Sequence, residues 1–325
     1  MGRGLGSIFT PMQKITIQPF DASHIPAVMD IQSAYSAIYP DSPVVPGEVY
    51  LSPAFEGNIF CAVDENGKVV GYAPLYPVLM RDESQTPHTL WVEVKTHPES
   101  EAQNETKDLL FERILLRARE VTAEVPGHPV HLTFQYFPSE TASIDYVTSR
   151  GCKHTESVFT MRRDLLEETP CPQVIDGITI RPWKMESEAE QQVYVDARSE
   201  CFPEAPVSLG EWQYFLQSPH WASGTTLAAF AGETLIGNVA LFWDEAENQK
   251  TGKQVGFTEY IFVRSAWRGK NIARTLINTG LAWLKEHGMT EAHLEVRAKN
   301  ASALRLYVDL GYEVIRESRF YVLEV

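Results

Sequence analysis

The chain has 325 residues, 44% of them hydrophobic, and a formal net charge of −15. This length favours two domains, each with enough apolar residues for a core. The acidic balance argues against a nucleic-acid partner, because phosphate backbones need a basic surface, but it suits a cationic substrate such as an amine. No uninterrupted apolar run reaches the ~18 residues of a membrane helix, so we expect no membrane partner.

The cysteine and histidine patterns indicate the compartment and the absence of a metal. Four scattered cysteines, Cys61, Cys152, Cys171 and Cys201, form no CxxC pair. Such spacing is typical of free thiols in a reducing compartment, so we expect a cytoplasmic protein, and residues 1–13 lack the apolar core of a signal peptide. The nine histidines show no ligand spacing, and we therefore predict no metal site.

Two halves of the sequence resemble each other. Three pairs of positions carry the repeat, with offsets of 163, 166 and 160 residues: Ile15–Phe20 with Ile178–Trp183, Gly71 with Gly237, and Gly151 with Gly311. Near-constant offsets indicate an internal duplication. We predict an N-terminal domain at 12–163, a charged, proline-containing linker at 164–176 and a C-terminal domain at 177–325.

In the first half, alternation and helical periodicity predict six strands and two helices. The strands are Ile15–Phe20, Ile59–Val63, Val69–Tyr76, Leu90–Val94, Val130–Phe137 and Ser157–Arg162, and the helices are Ala22–Ile38 and Leu109–Val121. Between the fourth strand and the second helix, Lys95–Thr106 reads KTHPESEAQNET, without glycine and with three glutamates. Such a loop would repel a phosphate.

The second half repeats this order. The predicted strands are Ile178–Trp183, Leu227–Phe230, Leu235–Trp243, Phe257–Val263, Glu291–Arg297 and Arg316–Val325, and the helices are Glu188–Cys201, Leu209–Leu216, Ile272–His287 and a short helix that begins at Asn300 and ends at Gly311. We expect Asp244–Gly252 to be a polar loop.

Here the connection between the fourth strand and the long helix is basic. Val263–Arg274 reads VRSAWRGKNIAR, with a glycine and the cations Arg268, Lys270 and Arg274. Backbone N–H groups and the helix dipole favour an anion at such a helix N-terminus, which predicts a phosphate or pyrophosphate pocket. The alternative is a solvated connection that binds nothing.

Two motifs in this half resemble the acetyl-CoA-binding core of the GNAT superfamily of N-acetyltransferases. V-x-x-x-x-R-G-x-x-x-A begins at Val263, and N-x-x-A-x-x-L-Y-x-x-L-G-Y begins at Asn300. Asn271 replaces a glycine of the family's loop pattern, and asparagine is the non-glycine residue that best tolerates a positive φ. The resemblance implies an α/β fold class: two tandem GNAT folds, each a mixed central sheet flanked by helices, in a layout similar to that of mycothiol synthase.

The resemblance implies acetyl-CoA as co-substrate and no metal. The residues that would bind acetyl-CoA are Ile261, Phe262, Val263, Arg268, Gly269, Lys270, Asn271, Ile272, Ala273, Arg274 and Asn300. Tyr307 matches the family tyrosine that protonates the departing sulfur, and a buried core tyrosine is the alternative. Glu259 is our candidate base, two residues from the family's usual position at Phe257 and, by strand alternation, on the same face. Glu295 and Glu204 are further candidates, and a structural strand-edge carboxylate is the alternative for Glu259.

The family layout also implies an acceptor surface that includes Phe202, Glu204, Trp212 and Tyr214, although aromatic residues there would also suit a core. We therefore predict an N-acetyltransferase that acts on a small-molecule amine in its C-terminal half, as a monomer or homodimer. The N-terminal half would be structural. The alternative function is a non-catalytic acyl-CoA-binding or sensing protein.

Overall fold

The structure, a computed structural model, describes residues 14–76, 87–100, 102–124, 127–168, 173–203 and 205–325. They form two compact units, one of residues up to 157 together with 318–325, and one of residues 158–317. Each unit packs helices against one mixed sheet, which confirms the predicted α/β fold class.

Among the described residues, the first part of the chain contains ten α-helices and β-strands. They are β1 (Thr16–Pro19), α1 (Ile25–Ile38), β2 (Ile59–Val63), β3 (Val69–Tyr76), β4 (His88–Val92), β5 (Lys95–Thr96), α2 (Gln103–Glu124), β6 (Val130–Tyr136), α3 (Thr141–Ser149) and β7 (Lys153–Asp164). The second part contains twelve. They are β8 (Thr179–Pro182), α4 (Glu188–Cys201), α5 (Leu209–Leu216), α6 (Pro219–Ala222), β9 (Thr225–Ala231), β10 (Thr234–Phe242), α7 (Glu245–Thr251), β11 (Val255–Val263), α8 (Ile272–Glu286), β12 (Glu291–Arg297), α9 (Ala301–Asp309) and β13 (Glu313–Glu324).

The two sheets have the same pattern of pairing. In the first unit the order is β1-β2-β3-β4-β6, completed by residues 319–324 of β13, and only β4 and β6 run parallel. In the second unit the order is β8-β9-β10-β11-β12, completed by residues 158–164 of β7, and only β11 and β12 run parallel.

Residues 158–163 lie in the second unit, although we predict them in the N-terminal domain. Their backbone pairs with β12, and Met161 and Leu165 are buried in the core of that unit. The last residues of the chain instead pair with β6. The predicted boundaries assume contiguous domains, whereas the compact units are not contiguous in sequence.

The duplication is visible in side-chain packing. A Cβ on Gly71 would lie 3.1 Å from Cδ1 of Leu110 on α2, and one on Gly237 would lie 3.2 Å from Cδ1 of Leu276 on α8. Gly71 with Gly237, and Leu110 with Leu276, share the offset of 166 residues. In each unit a helix therefore packs directly on a strand glycine, and a side chain there would separate helix from sheet.

One predicted loop is a helix. Residues 244–252 carry α7 because Asp244 accepts a hydrogen bond from the Glu247 N–H at the N-cap, Glu245 and Glu247 occupy the first turn, and Gly252 ends the helix in a left-handed conformation. The Asn248 amide then bonds to Val255 and ties α7 to β11. Polar composition alone misled the loop prediction.

Candidate active site

A bulge in β11 opens the sheet of the second unit. The β10–β11 ladder pairs Asn238 with Phe262 but Ala240 with Glu259, so that β11 holds one extra residue. Tyr260 takes a positive φ of 50° at this point, which is rare for an aromatic residue and is typical of functional sites. The parallel pairing of β11 with β12 stops at Phe257, so in the ladders that the described residues form, Tyr260 and Ile261 have no strand partner on either side.

Glu259 lies where the two strands separate. Its carboxylate accepts a hydrogen bond of 2.9 Å from the backbone N–H of Glu295 on β12. Burial, and then the negative charge of Glu295, raise the pKa of Glu259 to about 8, although backbone hydrogen bonds act in the other direction. A carboxylate with this pKa is well matched to accepting a proton near neutral pH.

Tyr307 is buried on α9, with 7% of its surface exposed. Burial and the charge of Glu259 raise the pKa of its phenol, so that the hydroxyl keeps its proton at neutral pH. Asn300 caps the same helix, since its Oδ1 accepts a hydrogen bond from the Ala303 N–H at 3.2 Å. Tyr307 thus lies beside the opened strands as a protonated group.

The connection from β11 to α8 is a tight turn. Gly269 has a φ of 79°, and Asn271, the residue before α8, has a φ of 58°. The Asn271 side chain forms no capping hydrogen bond with α8, so its role there is conformational. This agrees with the expectation that asparagine tolerates the position of the family glycine.

The three cations of this turn are held differently. Arg268 Nε donates to the Val263 carbonyl oxygen at 3.0 Å, and Arg274 forms an ion pair of 3.2 Å with Asp309 on α9. Lys270 Nζ lies 4.5 Å from the centre of the Trp267 ring. Arg268 and Arg274 therefore stay close to the cleft, whereas Lys270 is turned onto an aromatic face.

A cleft of about 570 Å³ connects these features. It is lined by ten of the eleven residues predicted to bind acetyl-CoA, and Lys270 is the exception: Ile261, Phe262, Val263, Arg268, Gly269, Asn271, Ile272, Ala273, Arg274 and Asn300. Cys201, Phe202 and Tyr307 lie in the same lining. Apolar side chains such as Ile261 and Ile272 and the cations Arg268 and Arg274 thus line the same cleft.

A second pocket of about 330 Å³ adjoins the cleft. Four residues line both cavities: Phe202, Ile261, Asn300 and Tyr307. Glu259 and Glu295 line only the smaller pocket. Tyr307, one of these four residues, therefore lies between a cofactor-sized cleft and a smaller pocket that contains the candidate base.

Of the predicted acceptor residues, only Phe202 lines this pocket. Trp212 is 2% exposed and stacks on Tyr194 with 4.2 Å between ring centres, and Tyr214 is 68% exposed outside both cavities. The structure places neither residue in this pocket, because the amphipathic pattern of α5 turns one aromatic into the core and the other to solvent. Glu204 lies outside the described residues.

Three cations of the smaller pocket were not predicted. Arg198 on α4, Arg297 at the end of β12 and Lys299 before α9 all line it. The sequence indicates only the position of Arg297, which follows Glu295 by two residues, so that strand alternation puts both on one face. Arg198 has no motif of its own.

The corresponding region of the first unit is nearly filled. At the offset of 166 residues, Glu93 matches Glu259 and Lys95 matches Ile261. Lys95 Nζ lies 2.9 Å from Glu93 Oε2 and 5.3 Å from the centre of the Tyr35 ring. The cavity there is about 70 Å³, and the fully buried Val147 stands where α9 has Tyr307. In the first unit the Lys95 side chain thus occupies the region that corresponds to the open cleft beside Ile261 in the second unit.

Within the described ranges no group of three or more His, Cys, Asp or Glu side chains could hold a metal ion. No helix described is both long and apolar enough to cross a bilayer.

Comparison with known proteins agrees with this geometry. Residues 188–312 match the model of the acetyltransferase (GNAT) family. Mycothiol acetyltransferase of Brachybacterium faecium is 28% identical over 180 residues, which are 53% of this chain and 53% of that protein. The chain spans about half the length of this relative and of the mycothiol acetyltransferase of Thermobispora bispora.

Two solved structures are similar over nearly the whole chain. A GCN5-related N-acetyltransferase from Sphaerobacter thermophilus covers 95% of each chain with a TM-score of 0.71 and 20% identity. A tandem GNAT protein from the clavulanic acid biosynthesis pathway covers 96% of this chain and 98% of its own, with a TM-score of 0.67 and 15% identity. The chain therefore has two GNAT folds in tandem, and its residues 188–312 match the model of the GNAT acetyltransferase family.

Proposed function

We propose that the protein is an N-acetyltransferase that moves acetyl from acetyl-CoA directly to the amine of a small molecule, in the second unit. The observation that carries this proposal is the position of Tyr307 between a cofactor-sized cleft and a pocket that holds Glu259. The matched family and the name of the relatives, mycothiol acetyltransferase, support an acyl-transfer reaction.

In the proposed reaction, the turn at Gly269 and Asn271 binds the pyrophosphate through its backbone N–H groups, with charge from Arg268 and Arg274. The unpaired backbone at Ile261 faces the thioester, where an N–H donor stabilises the carbonyl oxygen as it gains charge. One such donor contributes about 3 kcal/mol of transition-state stabilisation.

The proton transfers follow from the two titrating groups. Glu259, as a carboxylate, takes a proton from the attacking amine while the C–N bond forms. As the C–S bond breaks, the Tyr307 hydroxyl donates its proton to the departing thiolate. Cys201 is a poor covalent intermediate, because burial raises the pKa of its thiol and keeps it protonated.

The first unit is structural in this proposal. The Lys95–Glu93 ion pair occupies the place of the cofactor arm and neutralises the counterpart of the base. We also propose a cytoplasmic location, which the free thiols of Cys61, Cys152 and Cys201 support.

The test is to incubate the protein with acetyl-CoA and a panel of small amines, following free thiol together with the mass of the product. We expect thiol release that depends on the amine and a product that carries one acetyl group. If the protein binds acetyl-CoA but releases thiol no faster than buffer with every amine, the non-catalytic acyl-CoA-binding function replaces this one.

A further inference from the structure

The smaller pocket is unusually basic for this protein. The chain as a whole has 43 acidic and 28 basic residues. The charged side chains of this pocket reverse that balance, with three cations, Arg198, Arg297 and Lys299, against two carboxylates, Glu259 and Glu295. A pocket for a simple amine needs only the carboxylates, so the position of Arg198 requires a different explanation.

Arg198 is held in the pocket in a fixed orientation. It lies on α4, which packs against β10 and β11. Its guanidinium carbon lies 5.5 Å from the centre of the Tyr260 ring and 5.9 Å from that of Phe202. Two aromatic faces thus restrict a side chain that would otherwise lose considerable rotamer entropy on binding a ligand.

The hydrogen-bonding capacity of Arg198 is largely unused. Its Nη1 donates to the Ala205 carbonyl oxygen at 3.3 Å, while its buried Nε has no hydrogen-bond partner among the described residues. Among the described residues, which do not include Glu204, Arg198 forms no ion pair with a carboxylate. A planar guanidinium with donors to spare is suited to bidentate binding of a carboxylate or phosphate.

We propose that the acceptor carries an anionic group besides the amine that is acetylated, and that Arg198 binds this group. The substrate class is therefore a small zwitterionic amine, such as an amino acid or an amino-phosphate. In this proposal Glu259 binds the amine and Arg198 the anion, since both side chains line the same pocket. This inference rests on the proposed function, and the pocket volume of about 330 Å³ is at the lower end of the range for ligand sites.

The experiment compares pairs of acceptors that differ only in the anion. One set pairs each amino acid with its decarboxylated amine, and the other pairs phosphoethanolamine with ethanolamine. We expect kcat/KM to favour the anionic member of at least one pair by about tenfold or more, the contribution of a charge-assisted hydrogen bond. Preference in the first set identifies a carboxylate, and preference in the second a phosphate.

Arg198→Gln should abolish this preference, so that the ratio of the kcat/KM values within a pair falls by about tenfold or more. Arg181→Gln is the matched control, because Arg181 also stacks on an aromatic ring, that of Phe230 at 4.5 Å, but lies outside both cavities. The control should keep the preference. If Arg198 has only a structural role, Arg198→Gln would instead lower kcat/KM for both acceptors of a pair to the same extent.

The inference is overturned if the wild type shows no preference in any pair, or if Arg198→Gln reduces kcat/KM for both members of a pair to the same extent. Calorimetric titration of the same pairs into the CoA-bound protein gives the preference as a ratio of Kd values where turnover is too slow. Failure of acetyl-CoA itself to bind contradicts the proposed function, and titration of the pairs into the ligand-free protein then tests the anion site separately.

Discussion

Glu259 and Tyr307 have complementary protonation states because of where they lie. Burial raises both pKa values, to about 8 for the carboxyl and above its ordinary value for the phenol. The first group therefore becomes a proton acceptor just above neutral pH, and the second remains a donor throughout that range. The raised pKa of Glu259 is not encoded by residue type, since it depends on burial and on the charge of Glu295. A tyrosine, in contrast, is protonated at neutral pH even at its ordinary pKa.

Removing the Tyr307 hydroxyl should slow catalysis without weakening acetyl-CoA binding. Tyr307→Phe keeps the ring that packs in the core but removes the proton donor. We expect kcat to fall by roughly 10² to 10⁴, the usual contribution of general acid–base catalysis, with the Kd for acetyl-CoA unchanged within about threefold. Steady-state kinetics and calorimetry measure the two quantities, and an unaltered kcat would exclude Tyr307 as the acid.

The pH dependence tests Glu259. Because its pKa is raised, the carboxyl is protonated and inactive below about pH 8, and kcat/KM should rise with pH through that value. Measurements with two acceptors whose amines differ in pKa separate this rise in kcat/KM from the ionisation of the substrate. A limb of the pH profile that is due to the substrate shifts with the pKa of the amine, whereas the limb due to Glu259 stays fixed. Glu259→Gln should lose the fixed limb. A fixed limb that persists in that variant would assign it to another group.

Among the elements, the turn before α8 depends most on one residue. Asn271→Gly preserves the left-handed conformation and removes no capping bond, so we expect stability and acetyl-CoA affinity close to those of the wild type. Asn271→Val places a β-branched side chain at a φ of 58° and should lower the free energy of unfolding by about 1–2 kcal/mol, with weaker acetyl-CoA binding. Urea unfolding and calorimetry compare the two variants, and equal behaviour would mean that the turn conformation does not matter.

The helices and strands also show how much of this structure the sequence predicts. Strong periodicity and caps locate β2, β3, α4, α5 and β12 with the bounds observed, since local propensity and tertiary structure agree there. The motif residues predict the large cleft for the same reason. Arg198 and the burial of Trp212 depend on how α4 and α5 pack on the sheet, and no local pattern carries that information.

At the scale of the whole molecule, one fold occurs twice, and among the described residues the cleft of about 570 Å³ lies in the second copy. The Lys95–Glu93 pair distinguishes them, with Lys95 8% and Glu93 27% exposed at the side chain. Lys95→Met leaves a largely buried carboxylate unpaired and should destabilise the protein by about 1–3 kcal/mol. The double variant with Glu93→Gln should recover part of that loss, and a thermodynamic cycle from urea unfolding measures the coupling. Additive effects would contradict a buried pair.

The central claim is that a single acetyl-CoA site lies in the second unit, and calorimetric titration of acetyl-CoA into the intact protein tests it most directly. Gly269→Glu places a carboxylate at the phosphate turn. Gly67→Glu is its matched control, because the two glycines have φ values of 79° and 80° and open space around the missing Cβ. We predict one site per chain, lost in Gly269→Glu and retained in Gly67→Glu. Two sites, or one that survives Gly269→Glu, would contradict this account.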